Sequence, residues 1–397
     1  MATVVPSLKQ VSLLVGSGLI WWVAGLPRAG YGAQSPDIAA IGSGVTVIDA
    51  AIPKGLDQSG MAVARQSPLF AQSIDSVIGD YEPTAPPENP EFLPPDRFIE
   101  ETNQIDYRVG ALQQDYTGSL WVGSWQGLAR IDPETGEILA RVNLPDTVIS
   151  AMAQDRVGRV WVGTYGGLVR VDPRTNEITT QNFTLPSNRV LALQIDSRGF
   201  LWVGTDQGLA MVSPDRGFLM TTIRNLPGVS ANTMTLDRQG RLWVGTLDGV
   251  VRIDTGSAAV RRRDTSVPGQ VVQSLTLGPQ GRLWAGTPAG LFVLDSTSGQ
   301  VVRAVSQMRD RNIRSLDFDS TGSLWVGTSN GLFKLNPYNG AIIGQVPNLP
   351  SGEVFALSPD TGNKLWVGTR EGLAWVSLTT GQARPHNGFV RQQAQFY

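Results

Sequence analysis

The chain of 397 residues contains no cysteine and one histidine, His386. Disulfides, thiolate zinc sites and metal sites built on histidine clusters are thereby excluded. Catalysis by a histidine base is confined to a single position. Charge is scarce too: Asp, Glu, Lys and Arg make up 17% of the chain and the net charge is −2. No chain-wide positive field exists to draw in nucleic acid or anionic lipid, so nucleic acid is not an expected partner. No cofactor is expected either.

Against these absences stands one recurrent stretch, Leu-Trp-Val-Gly-Thr with small variations. Its tryptophans are Trp121, Trp161, Trp202, Trp243, Trp284, Trp325 and Trp366, spaced 40 residues once and 41 residues five times. Such a strict period is the mark of a repeat fold. Six residues before each tryptophan stands an aspartate (Asp115, Asp155, Asp196, Asp237, Asp319, Asp360), except at Gly278. Three residues before it stands Gly118, Gly158, Gly199, Gly240, Gly281, Gly322 or Asn363. An Asp that can cap a turn, followed by a residue tolerant of positive φ, is hairpin chemistry. The flanking runs, such as Val190 to Ile195 and the Leu-Trp-Val-Gly-Thr stretch itself, favour strands.

A column of glycines six residues past each tryptophan (Gly127, Gly167, Gly208, Gly249, Gly290, Gly331, Gly372) opens a third strand. An Asp-Pro-x-Thr-Gly type of turn, clearest at Asp132 to Gly136, precedes a fourth, such as Glu137 to Val142. Each unit thus reads as a four-stranded antiparallel meander, and seven such units predict an all-β, seven-bladed β-propeller. Helical solenoids of similar period need apolar stripes at i, i+3 and i+4, which these glycine-punctuated units lack. The array takes residues 104–390 as one domain, expected to be monomeric, with 391–397 as a tail.

Residues 1–33 read as an export signal or a membrane anchor. Lys9 precedes Val11 to Leu26, an apolar stretch of 16 residues without charge. Small residues follow in Ala29 to Ala33, although Tyr31 suits a cleavage site poorly. A Pro-rich linker follows over 34–103, clearest from Tyr81 to Asp96, where proline density prevents a regular core. Export places the protein in the periplasm or elsewhere outside the cytoplasm, with residues 11–26 as a membrane tether if uncleaved.

The motif Asp-x-x-Gly-x-Leu-Trp-Val-Gly-Thr-x-x-Gly-Leu-x-Arg-x-Asp resembles the two-component-regulator propeller repeat. That resemblance covers all seven units and implies a sensing or binding module outside the membrane, separate from any kinase. WD-type propellers are disfavoured because their Gly-His and Trp-Asp pairs are missing. The Leu-Trp-Val-Gly character also resembles propeller lyases of the streptogramin type, which would require a histidine on the rim.

Residues repeated in every unit belong to the scaffold, and the seven tryptophans read as packing between neighbouring blades. Function is sought where the repeat leaves the residue free. In a propeller the loop entering the first strand and the loop between strands two and three share one rim. There the chain places Arg108, Trp125, Tyr165, Arg189, Asn232, Gln273, Asn312, Arg314, Glu353, Phe355 and Arg370. These arginines, amides and aromatics suit a protein, peptide or glycan ligand in the cell envelope. The expected function is therefore non-catalytic binding or sensing. A propeller lyase or hydrolase is the alternative.

Overall fold

The computed structural model describes residues 107–144, 147–182 and 184–390. The export signal or anchor at 1–33, the linker at 34–103 and the tail at 391–397 lie outside the described residues. Among the described residues the strands form seven four-stranded antiparallel sheets, each contiguous in sequence and ordered as a meander. Blade 1 comprises Val109–Gln114, Leu120–Ser124, Gly127–Ile131 and Ile138–Val142. Blade 7 runs from Val354–Thr361 to the short outer strand Ala383–Pro385, which the chain supplies from its C-terminal side. Among the described residues no helix is long and apolar enough to cross a membrane.

The first strands meet their neighbours all the way round, and the strand of blade 7 touches that of blade 1, so the ring is closed. The glycine of Trp-Val-Gly-Thr explains how closely the blades approach. A Cβ on Gly163 would come within 2.5 Å of Val190 in the next blade, and one on Gly368 equally close to the carbonyl of Val109. A side chain there would push the neighbour away. The threonine that follows secures the next turn: Thr164 Oγ1 donates to the carbonyl of Gly167 at 2.9 Å and accepts from the N–H of Gly166 at 3.0 Å.

The tryptophans fill the joints. All seven are at most 5% exposed, and each clusters with the following blade. Trp161 packs among Leu201, Val203 and Val212, whereas Trp366 packs among Val109, Leu120 and Val122 of blade 1. Above the ring sits a cation from the third strand in several blades, such as Arg170 at 5.4 Å from the Trp161 centroid. Its guanidinium then donates to the carbonyl of Pro214 in the next blade at 3.0 Å. Lys364 does the same across the closure, donating to Pro133 of blade 1 at 3.1 Å.

The repeated aspartate does more than the turn role read from sequence. In blade 4, Asp237 Oδ1 accepts the N–H groups of Gln239 and Arg241, both at 3.0 Å. Its Oδ2 accepts Trp243 Nε1 at 3.2 Å. The same bond joins Asp115 to Trp121, Asp155 to Trp161, Asp196 to Trp202 and Asp319 to Trp325, at 2.9 to 3.2 Å. A buried indole N–H thus finds its acceptor within its own hairpin.

Blade 7 departs from the expected pattern. Its first strand continues to Thr361, and Gly362 and Asn363 form the turn with φ of 60° and 57°. Asp360 is therefore not the turn cap its column implies. Its Oδ2 accepts the N–H of Ser320 in blade 6 at 2.5 Å, and Trp366 Nε1 is buried without a partner.

Two stability predictions follow from these joints. Trp243→Ala leaves an inter-blade cavity and costs about 3–5 kcal/mol in denaturant unfolding, while Asp237→Ala, which orphans the indole, costs about 1–3 kcal/mol.

Acid sensitivity has two opposed sources. Burial raises the Asp196 and Asp319 carboxyls, but the combined hydrogen bonds and cation (Arg198 for the first, Lys334 for the second) bring both below the ordinary value. Their stabilisation is present at neutral pH and lost as pH falls through the depressed folded pKa. Asp317 is the reverse: burial, then nearby Asp360, raises it to about 6. It favours the fold when protonated, and that contribution fades as pH rises from about 4 to 6. Asp317→Asn should accordingly raise stability at pH 8 by at most roughly 3 kcal/mol, with no gain below about pH 4. Thermal melts across pH check the sign.

Candidate functional site

The two loops that share the rim are tied together by backbone bonds. Tyr165 N–H donates to Val148 at 3.0 Å, Asp206 to Arg189 at 3.4 Å and Arg370 to Glu353 at 3.1 Å. In blades 2, 3 and 7 the position thirteen residues before the tryptophan is thereby set beside the position four residues after it. Blade 6 has the same bond, from Ser329 to Asn312 at 3.1 Å, and these four pairs stand around one mouth of the axis; Pro288, at this place in blade 5, has no N–H to donate.

Within this ring lies a cavity of about 500 Å³, in the usual range for a small ligand. Arg108, Tyr165, Arg189, Asn232, Gln273, Arg314 and Phe355, all among the rim residues picked out from the sequence, line it. It narrows into the axial channel, about 280 Å³, whose wall comes from the first strands of all seven blades. Three arginines and one carboxylate, Asp206, make the mouth cationic.

The arginines are held by aromatic faces. Arg108 and Arg314 stand 5.5 and 5.2 Å from the centroid of one ring, Phe355. Across the mouth Arg189 lies 4.5 Å from the Tyr165 centroid. Tyr165 and then Asp206 favour its charged form, so its pKa is raised further despite partial burial. Stacking fixes each guanidinium plane while leaving its edge for hydrogen bonding.

Several polar atoms at the mouth are buried and unpartnered: Arg314 Nε, Asp206 Oδ1 and Gln273 Oε1. Leaving each buried without a hydrogen bond costs about 1–3 kcal/mol. Asn232, by contrast, is already satisfied by Ser230 at 2.5 Å and the Val272 carbonyl at 3.3 Å.

Four anticipated residues do not line the cavity. Glu353 and Arg370 pair with each other at 3.2 Å. Trp125 turns edge-on to Tyr107, centroids 5.0 Å apart. Asn312 has its Oδ1 buried and unpartnered, but away from the cavity wall. Asp206 is the lining residue that sequence reasoning passed over; its only signal is its place four residues after Trp202. His386 is far from the mouth: its Nε2 meets the Gly136 carbonyl at 2.7 Å at the joint between blades 7 and 1. Among the described residues no group of His, Asp and Glu is disposed to hold a metal ion.

Fold and site together define a seven-bladed β-propeller with a cationic, aromatic-lined cavity at one mouth. Three of its segments, residues 143–166, 184–207 and 225–248, match the two component regulator propeller. A search of the curated proteins finds no match. Among solved structures, the extracellular domain of a hybrid two component system from B. thetaiotaomicron is 21% identical, with a TM-score of 0.56. The alignment covers 66% of this chain but only 39% of that one. Virginiamycin B lyase from Staphylococcus aureus is 16% identical with a TM-score of 0.57, covering 68% of this chain and 94% of the lyase. At these identities the likeness concerns the fold.

Replacing Arg189 and Arg314 together by Ala should lower unfolding free energy by less than about 1 kcal/mol, in contrast to Trp243→Ala. Parallel urea titrations make the comparison.

Proposed function

We propose that the protein is a non-catalytic binding or sensing module outside the cytoplasm, which holds a peptide, protein segment or glycan in the rim cavity. The observation that carries this reading is the ligand-sized space at the mouth, on which three arginines backed by aromatic rings and the amides of Asn232 and Gln273 converge. The arginines favour a ligand bearing carboxylate groups. Similarity to the extracellular domain of a hybrid two component system supports the location and the sensing role. Lys9 and the apolar run from Val11 to Leu26 are in keeping with export or a tether.

The likeness to a lyase supports a second reading, in which the same cavity performs lyase or hydrolase chemistry. The residues favour binding. The sole histidine closes the ring rather than lining the cavity. Asp206 is the one carboxylate among the described lining residues, whereas hydrolysis by paired carboxylates needs two at a fixed separation.

The test begins with capture from envelope extract and a glycan array, followed by calorimetry on the ligand found. Arg189→Ala with Arg314→Ala should weaken binding by more than about tenfold, since each lost charged hydrogen bond is worth about 1.5–3 kcal/mol. Undiminished binding by this folded double variant would reject the rim. Turnover of the captured ligand would reject the non-catalytic reading alone.

A further inference from the structure

Blade 5 is the one unit with glycine, Gly278, where the others carry aspartate. Its hairpin nevertheless closes as in blade 4. Gly278 N–H donates to Arg282 at 2.8 Å and Gly281 N–H to Gly278 at 2.8 Å, beside 3.0 and 2.9 Å for Asp237 and Gly240. The turn is preserved and the carboxylate is gone.

The intact blades show what that carboxylate collects. In blade 4, Asp237 accepts from the N–H of Gln239, the N–H of Arg241, Arg241 Nε at 2.6 Å and Trp243 Nε1. Asp155 in blade 2 collects the same four donors, with Arg159 Nε at 2.6 Å. The corresponding donors in blade 5 are the N–H groups of Gln280 and Arg282, the Arg282 guanidinium and Trp284 Nε1. Of these, Arg282 has turned its Nη1 to Asp295 at 2.9 Å, and Trp284, only 4% exposed, has its Nε1 against Gly278 where its counterparts in blades 2 and 4 meet an aspartate.

At this spot the surface opens into a cavity of about 580 Å³ between blades 5 and 6. Gly278, Gln280, Arg282 and Trp284 form one wall. The rest is mixed: Ser320 and Thr321 join Val293, Pro337, Val302 and Tyr338, the last two 52% and 73% exposed. Arg303 lies over Trp284, 5.2 Å from its centroid, adding a second cation. Asp319 in the facing wall is already committed to Lys334 at 2.9 Å and Trp325 at 3.1 Å.

We propose that this vacated carboxylate position is a second ligand site, which binds a small aromatic or branched carboxylic acid from solution. The acid's carboxylate takes the donors that aspartate takes in blades 2 and 4, and its apolar body rests against Val302, Pro337 and Tyr338. A Cβ on Gly278 would lie 2.7 Å from Trp284 Nε1. Phe318 would lie 3.2 Å from the same Cβ, so the indole and this ring close the glycine side and entry is from the cavity side. The site is independent of the rim cavity and of any activity there.

The experiment titrates the full chain, labelled with 15N, with sodium benzoate and follows the indole N–H signals, using benzyl alcohol, sodium acetate and sodium chloride as comparisons. One indole signal, identified by its loss in Trp284→Phe, should shift saturably with benzoate and not with benzyl alcohol or chloride. Acetate should bind more weakly than benzoate. In Gly278→Asp the internal carboxylate should occupy the position, so that the signal joins those of the carboxylate-bonded indoles and benzoate no longer moves it. Should either variant fail to fold, Arg282→Met at an exposed position replaces it and should weaken benzoate binding by about tenfold. No saturable shift, equal response to benzyl alcohol, or unchanged binding in Gly278→Asp or Arg282→Met overturns the proposal.

Discussion

Everything in this molecule depends on how closely one blade can lie on the next. A ring of seven sheets has no other source of tertiary structure, and the space between sheets is set by glycine where Gly163 meets Val190 and Gly368 meets Val109. That approach brings each tryptophan onto the adjoining sheet. In five blades the N–H of the indole so enclosed is satisfied by the aspartate of its own hairpin. The cation above the ring then reaches the neighbour's turn. Glycine, tryptophan, aspartate and arginine therefore recur together because each makes the next necessary.

The same economy leaves the rim free. The loops at the mouth are positioned by backbone bonds, as between Tyr165 and Val148, so their side chains carry no structural duty and can differ from blade to blade. An asymmetric site on a near-symmetric ring results. Phe355 of blade 7 aligns arginines from blades 1 and 6, and Tyr165 of blade 2 aligns one from blade 3. Residues far apart in the chain become neighbours only because the ring closes.

How much of this was legible follows from the range of each interaction. Period, strand order and the inter-blade place of the tryptophans depend on spacing alone, and spacing is visible in the chain. The bond from Asp237 to Trp243 was not read, because it requires knowing that the hairpin folds its turn back beside the second strand. At the rim, ring position was predictable and side-chain direction was not. Glu353 and Arg370 satisfy each other, and Trp125 leans on Tyr107. Asp206 was passed over because a lone loop aspartate looks like any solvated one until its unpartnered oxygen is seen beside Arg189.

The two irregular blades show that the shared design is a set of separable contacts. Blade 7 keeps its aspartate but extends its first strand, so Asp360 reaches across to Ser320 and ties blade 7 to blade 6 instead. Its tryptophan loses the internal acceptor, and Lys364, 5.9 Å from the Trp366 centroid, carries the tie to blade 1. Blade 5 keeps the turn without the aspartate, and Arg303 from its outer strand supplies the cation over Trp284. In both, the cation that the third strand does not supply comes from another strand of the same blade, whereas the aspartate's acceptor role is not replaced. Burial of the tryptophan is thus the invariant of the array, and the polar groups around it are the part the chain can alter.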